Sequence, residues 1–322
     1  MLIVLLFWRL YISSQMKVRL EKGVAQRAAI GRRSCIHKCD PQGGRAQVSK
    51  ESEMGYFIAM LVAGYPTGDC LPENFIEHLT PGAPDFAFTL TAVVLAVVFG
   101  LLVYIIPIIL TETEHIQPYP LWLHCFYWAA DFMGIWVFLH AFLTNGYFYM
   151  FGLLAVGEAI WVAMETYCLQ RAMTYERELN WDSSWDFKKR LTNIILLTLA
   201  FFVALNLLRA ELHDPTMWKF WIFTQVLITI VPGLVLEKRG YRLGNARILN
   251  IVFVCVALVS FNPWCNMWMA IAPDYFTVAE NPWYYITGIV CLFFALRGLI
   301  MYEKLPAKPE VVEATGKKPL LK

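Results

Sequence analysis

Three acidic residues, Asp131, Glu158 and Glu165, stand inside long apolar stretches. Ionisable side chains in segments of this kind are costly, and each marks a functional position by default. Asp131 lies twelve residues into the stretch 119–143, and Glu158 lies eleven into the stretch 147–173, so both sit near mid-length. Only residues 144–146 join the two stretches, which must therefore pack as antiparallel neighbours with two carboxyls at similar depth. Two carboxyls brought together in an apolar site cannot both ionise, and the proton they keep can be given to a greasy substrate. That is general acid chemistry, with Asp131 or Glu158 as donor and the other as its tuning neighbour. Glu165 follows Glu158 by seven residues, roughly 10 Å along the same helix face. Trp161 lies between them, and Trp128 precedes Asp131 by one turn. Read structurally instead, the same acids would bond to Asn, Tyr or Trp donors between helices.

Aromatic residues form 15% of the chain, with 12 tryptophans. Trp122, Trp218, Trp221 and Trp283 fall near segment ends, the position of an interfacial belt. Trp128, Trp136, Trp161, Trp264 and Trp268 lie deeper, where π-faces can shield a cation or simply fill space between helices. The run FNPWCNMW over 261–268 interrupts an apolar segment with Pro263, and Asn262 and Asn266 stand one turn apart. A helix broken there faces a cavity or other protein. Asn262 and Asn266 are candidates to orient a polar group of a substrate, and Trp128, Trp161, Trp264 and Trp268 to contour its pocket. Arg297 is placed to snorkel to the interface or to pair with Glu165.

The elements that position these groups follow from composition. Of 322 residues, 58% are hydrophobic and 16% charged, against roughly 45–50% and about 25% in a soluble domain. Seven segments, 86–110, 119–143, 147–173, 191–210, 217–236, 247–272 and 282–302, each approach the ~20 residues that cross a bilayer. The fold class is all-α, a polytopic bundle of about seven transmembrane helices over 86–303. Residues 1–85 form an N-terminal extension and 304–322 a disordered tail. A net charge of +2 gives no reason to expect nucleic acid.

Basic residues fix the orientation. Arg177, Lys188, Lys189 and Arg190 follow the third segment, Lys238, Arg239, Arg242 and Arg247 the fifth, and Lys304, Lys308, Lys317, Lys318 and Lys322 the last. The loops after the second and sixth carry none. Basic loops stay in the cytosol, which puts the C-terminus there. Residues 17–50 break the pattern with nine basic side chains against Glu21 and Asp40. Either residues 2–13 are a short extra crossing or a signal-like segment, or Met54 is the true start and 1–53 a gene-model artefact, the reading favoured. Cys35, His37 and Cys39 lack a second pair at zinc spacing.

Several signatures are missing. The last segment has no lysine for a retinal Schiff base, no N-D-x-x-D cluster offers to hold magnesium diphosphate, and no glycine-rich phosphate loop occurs. His124 and His140 share one helix but point about 160° apart, a poor haem pair. No metal or cofactor is expected.

With its buried acids and deep aromatics, the chain resembles fungal integral-membrane terpene cyclases of meroterpenoid pathways. The likeness is carried by PLWLHCFYWAAD over 120–131, by the helix through Glu165 and by YERE over 175–178. It covers about 86–303 and is architectural more than motif by motif; the acid that one branch of the group carries late in the bundle is absent here. The resemblance implies a metal-independent cyclase or isomerase that protonates a lipophilic isoprenoid. It also implies an endoplasmic-reticulum membrane, lipid around the bundle and other pathway enzymes as partners. The competing class is a small transporter, sensor or receptor-like bundle using the same carboxylates. An odd number of crossings after residue 86 predicts a cytosolic reporter fused after Lys322 and a lumenal one inserted in 273–281. Finding both tags on one side would remove that topology.

Overall fold

The computed structural model describes Gly55 and residues 68–321, which belong to one compact unit, Glu53–Lys322. The expectations for residues 1–53 and the start at Met54 lie outside the described residues. Eleven helices and no strand occur among the described residues: α1 Pro72–Leu79, α2 Phe86–Glu114, α3 Leu121–Thr144, α4 Tyr149–Thr174, α5 Arg177–Asn180, α6 Phe187–Glu211, α7 Trp221–Arg239, α8 Arg247–Phe261, α9 Met267–Ile271, α10 Pro273–Phe276 and α11 Pro282–Lys304. Six of them (α2, α3, α4, α6, α7 and α11) are long and apolar enough to cross a membrane. Leucine, valine, isoleucine and phenylalanine on their outer faces (Leu153, Val156, Val203, Leu207, Ile289, Phe293) are exposed, a surface that only lipid covers without cost. The chain is a multi-pass all-α membrane bundle.

The sixth apolar segment, 247–272, is broken at Pro263, as its sequence leads one to expect. It is α8, a capped loop and then α9. Pro263 has no N–H to continue the ladder, and the two asparagines satisfy the freed backbone. Asn262 Oδ1 accepts from the Trp264 and Cys265 amides at 3.0 and 2.6 Å, and Asn266 Oδ1 caps α9 through the Met269 amide at 2.8 Å.

Proline inside α2 has a different use. Pro107 frees the Val103 carbonyl one turn back, and the Tyr119 hydroxyl donates to it at 2.6 Å. Small residues let other helices close. A Cβ on Gly233 of α7 would come within 3.3 Å of Gly298 Cα on α11, and Gly288 of α11 lies against Phe261 of α8. Such small-residue contacts replace the hydrophobic drive that lipid does not supply.

Charged groups gather at the bundle's two ends. Where α2, α4, α7 and α11 finish, Glu114 accepts from Lys308 at 2.5 Å and from the Gly244 amide at 2.7 Å. Glu176 accepts from the Gln117 amide at 2.8 Å and pairs with Arg239. The tail expected to be disordered is packed here. Lys308 is buried on Glu114, Thr315 donates to the Thr113 carbonyl at 2.9 Å, and Val312 is buried. A lysine that reaches a buried carboxylate has a charged partner no lipid or water provides, and it draws the tail in with it.

At the opposite end Asp214, between α6 and α7, accepts from the Phe220 amide at 2.8 Å. Burial pushes its carboxyl up to about 6, against the pull of Lys219 and the backbone amides. A folded-state value above the unfolded one near 3.9 means that Asp214 favours folding fully below that value and loses this contribution as pH rises through about 6. Thermal unfolding in detergent should therefore show Asp214→Asn losing less stability than wild type between pH 4 and pH 7. Parallel pH curves for the two proteins would refute the assignment.

Candidate functional site

Two antiparallel helices build the site. α3 and α4, joined by 145–148, pack along their whole lengths, and each carries polar groups seven residues apart on the facing side: His124 and Asp131 on α3, Glu158 and Glu165 on α4. Seven residues is close to two full turns, so antiparallel packing brings His124 against Glu165 and Asp131 beside Glu158. His124 Nδ1 lies 2.7 Å from Glu165 Oε2, both side chains buried. Asp131 and Glu158 share the second level, on the wall of one cavity. Gly134, one turn beyond Asp131, makes the room. A Cβ there would meet Glu158 Cγ and Cδ at 2.9 Å.

A third helix closes the set. Tyr104 of α2 donates to Asp131 Oδ2 at a long 3.4 Å and interacts with Glu165 as well. It thus ties the two levels together. Glu158 has no such support: its Oε2 is buried without a hydrogen-bond partner.

These groups face an apolar cavity of about 120 Å³ between α2, α3, α4, α7 and α8. A water needs roughly 10–15 Å³ of such space, so a multi-atom ligand fits. Asp131, Glu158 and Glu165 lie on the wall with Tyr104, Tyr119, Tyr127, Trp161, Trp218 and Trp221. The indole N–H groups of Trp161 and Trp218 have no partner, and with Glu158 Oε2 they are free polar points on a greasy surface.

The residues expected at the site divide between this wall and elsewhere. Asp131, Glu158, Glu165 and Trp161 meet on it. Trp128 stacks on Phe132 and donates to Thr166 Oγ1 at 2.9 Å, outside the wall. Trp264 is 81% exposed. Asn262 and Asn266 are committed to the loop between α8 and α9, because a broken helix needs its backbone groups bonded before any substrate does. Trp268 stands one layer behind, donating to the Trp218 carbonyl at 2.9 Å. Arg297 pairs with Glu237 at 2.5 Å and not with Glu165, whose partner is His124. Trp218 and Trp221, expected in the interfacial belt, line the cavity instead.

Sequence reasoning missed Tyr104 and His124. The matched seven-residue spacings on α3 and α4 pointed to His124, since antiparallel helices that place Asp131 by Glu158 must place residue 124 by residue 165. Nothing in the sequence distinguishes Tyr104 from other buried tyrosines. Among the described residues, His124, Glu165 and Cys168 form the single cluster that could hold a metal ion. No protein-family model, curated protein or solved structure matches this chain.

Gly134→Ala should force Glu158 away from α3 and destabilise the bundle by about 1–3 kcal/mol, the usual range for overpacking. Glu158→Ala removes the obstructing atoms, so the double variant should recover most of that loss in a thermal double-mutant cycle. Additive losses would mean that Gly134 and Glu158 do not meet.

Proposed function

We propose that this protein is a membrane-embedded cyclase or isomerase that protonates a lipophilic isoprenoid and guides the resulting carbocation to ring closure. The observation that carries this reading is Glu158, whose unpartnered carboxyl oxygen faces an apolar, aromatic-walled cavity. A carboxylic acid in such a place has few acceptors other than a bound ligand. Glu158 is the donor, and Asp131, bonded to Tyr104, is the neighbour that tunes it.

The proton passes from Glu158 to a terminal alkene carbon or an epoxide oxygen. In the second case the C–O bond breaks toward oxygen as an alkene π pair attacks the carbon. Each ring closure moves the cation to the next carbon, and π-faces of Trp161, Trp218, Trp221 and the wall tyrosines stabilise it within about 6 Å. Loss of a proton from the last cation to a carboxylate restores the enzyme, so the reaction is an isomerisation. The partners are the lipophilic substrate and the surrounding lipid. Charge in the loops supports a cytosolic C-terminus, and the likeness to fungal meroterpenoid cyclases supports the substrate class and an endoplasmic-reticulum membrane.

Asp131→Asn and Glu158→Gln keep shape and hydrogen-bonding capacity but remove the acidic proton. In microsomes given epoxy-farnesyl substrates, Glu158→Gln should lower product formation by about 10²–10⁴-fold, the usual contribution of general acid catalysis. Asp131→Asn should lower it less, and Glu165→Gln least. Near-full product formation by both amide variants of Asp131 and Glu158, at matched protein levels, would sink this assignment.

A further inference from the structure

We propose that His124, Glu165 and Cys168 form a binding site for a borderline-soft divalent cation, zinc before others. Nothing in the cyclase reading requires it. Glu165 and Cys168 are three apart on α4, one turn on a single face, and His124 faces them across the interface from α3. One ligand atom from each lies within 4.8 Å of the others, and all three side chains are buried. Imidazole, carboxylate and thiolate together are a zinc ligand set.

The polar atoms around the cluster point the same way. His124 Nε2 and Glu165 Oε1 are buried without partners, and so is Oε1 of Gln117, whose Nε2 donates to the Cys168 carbonyl at 2.7 Å. Orphaned buried polar atoms are rare enough to need a cause. A cation on His124 Nδ1 and the Glu165 carboxylate accounts for Glu165 Oε1, which can join Oε2 on the ion, and leaves His124 Nε2 to another partner. The cation takes the place of the proton between His124 Nδ1 and Glu165 Oε2, now 2.7 Å apart. Ligands around tetrahedral zinc stand roughly 3.3–3.8 Å apart, given bonds of about 2.0–2.3 Å. The histidine–carboxylate pair therefore opens slightly while the thiolate draws in. Cys168 gives up its thiol proton on binding, and the His124 imidazole binds in its neutral form, so affinity rises with pH. Three protein ligands leave a fourth position open, and Glu165 also lies on the cavity wall.

Cobalt(II) is the probe. Full-length protein in detergent micelles, stripped with chelator and loaded with cobalt, should retain one equivalent through gel filtration. It should also show visible d–d bands of a tetrahedral site and a thiolate-to-cobalt charge-transfer band in the near ultraviolet. Zinc should displace the signal. Cys168→Ser should abolish the charge-transfer band and weaken binding at least tenfold, His124→Gln should weaken binding similarly, and Cys265→Ser should change neither. If the unmutated protein binds no stoichiometric cobalt, or binds it without a thiolate band, the site does not exist, whatever the variants do. A charge-transfer band that survives in folded Cys168→Ser protein also overturns it. Because the readout is metal and not turnover, it stands or falls separately from the cyclase assignment.

Discussion

In hydrocarbon a carboxyl group must find its partners inside the protein, because lipid offers none. That constraint organises this bundle. Glu165 is satisfied by His124, Asp131 by Tyr104, Glu176 by Gln117 and Arg239, and Glu114 by Lys308 and Gly244. The contacts join α2, α3, α4, α7 and the chain after α11, so the acids act as cross-links between elements. Glu165 leaves Oε1 without a partner but is held through Oε2 by His124, whereas Glu158, with Oε2 bare, has no side chain holding it at the cavity. On the proposed reading, that unheld carboxyl is the one left for a ligand.

Much of this was legible from residue order. Hydrophobic runs located the spans because a bilayer demands length and apolarity at once, and both are visible in one dimension. The short 144–146 connection forced α3 against α4, which is why the pairing of Asp131 with Glu158 could be read before any coordinates. The break near Pro263 was also visible, since proline's missing N–H is a local fact. What the break does was not. The side chains of Asn262 and Asn266 answer to the backbone around them, and only the three-dimensional loop shows that they are spent on Trp264, Cys265 and Met269.

The remaining misses have one physical origin. Periodicity says which face of a helix a residue occupies but not what another helix puts opposite. Trp218 and Trp221 read as belt residues from their place at a segment end, yet that end folds over the cavity. Trp264 read as deep from its place in a span, yet the span is broken there and the indole points outward. The tail read as disordered from its prolines and lysines. It packs because Glu114 lies buried at the end of α2, which no property of the tail itself announces.

The register of α3 against α4 is therefore the most constrained feature of the site. Sliding one helix past the other by a single turn, about 5.4 Å, would strand Glu165 against apolar neighbours. It would also bring Glu158 opposite side chains bulkier than the hydrogen of Gly134. Both polar levels would fail together, since the seven-residue spacing repeats the same error on each. The tight 145–148 connection, in which Gly146 adopts a left-handed φ of 63°, leaves little slack for such a slide. If the cavity holds a reactive cation, as proposed, its walls must not shift. Here rigidity and acidity are supplied by the same side chains, so a substitution that neutralises Glu165 loosens the interface as well as altering the charge around Asp131.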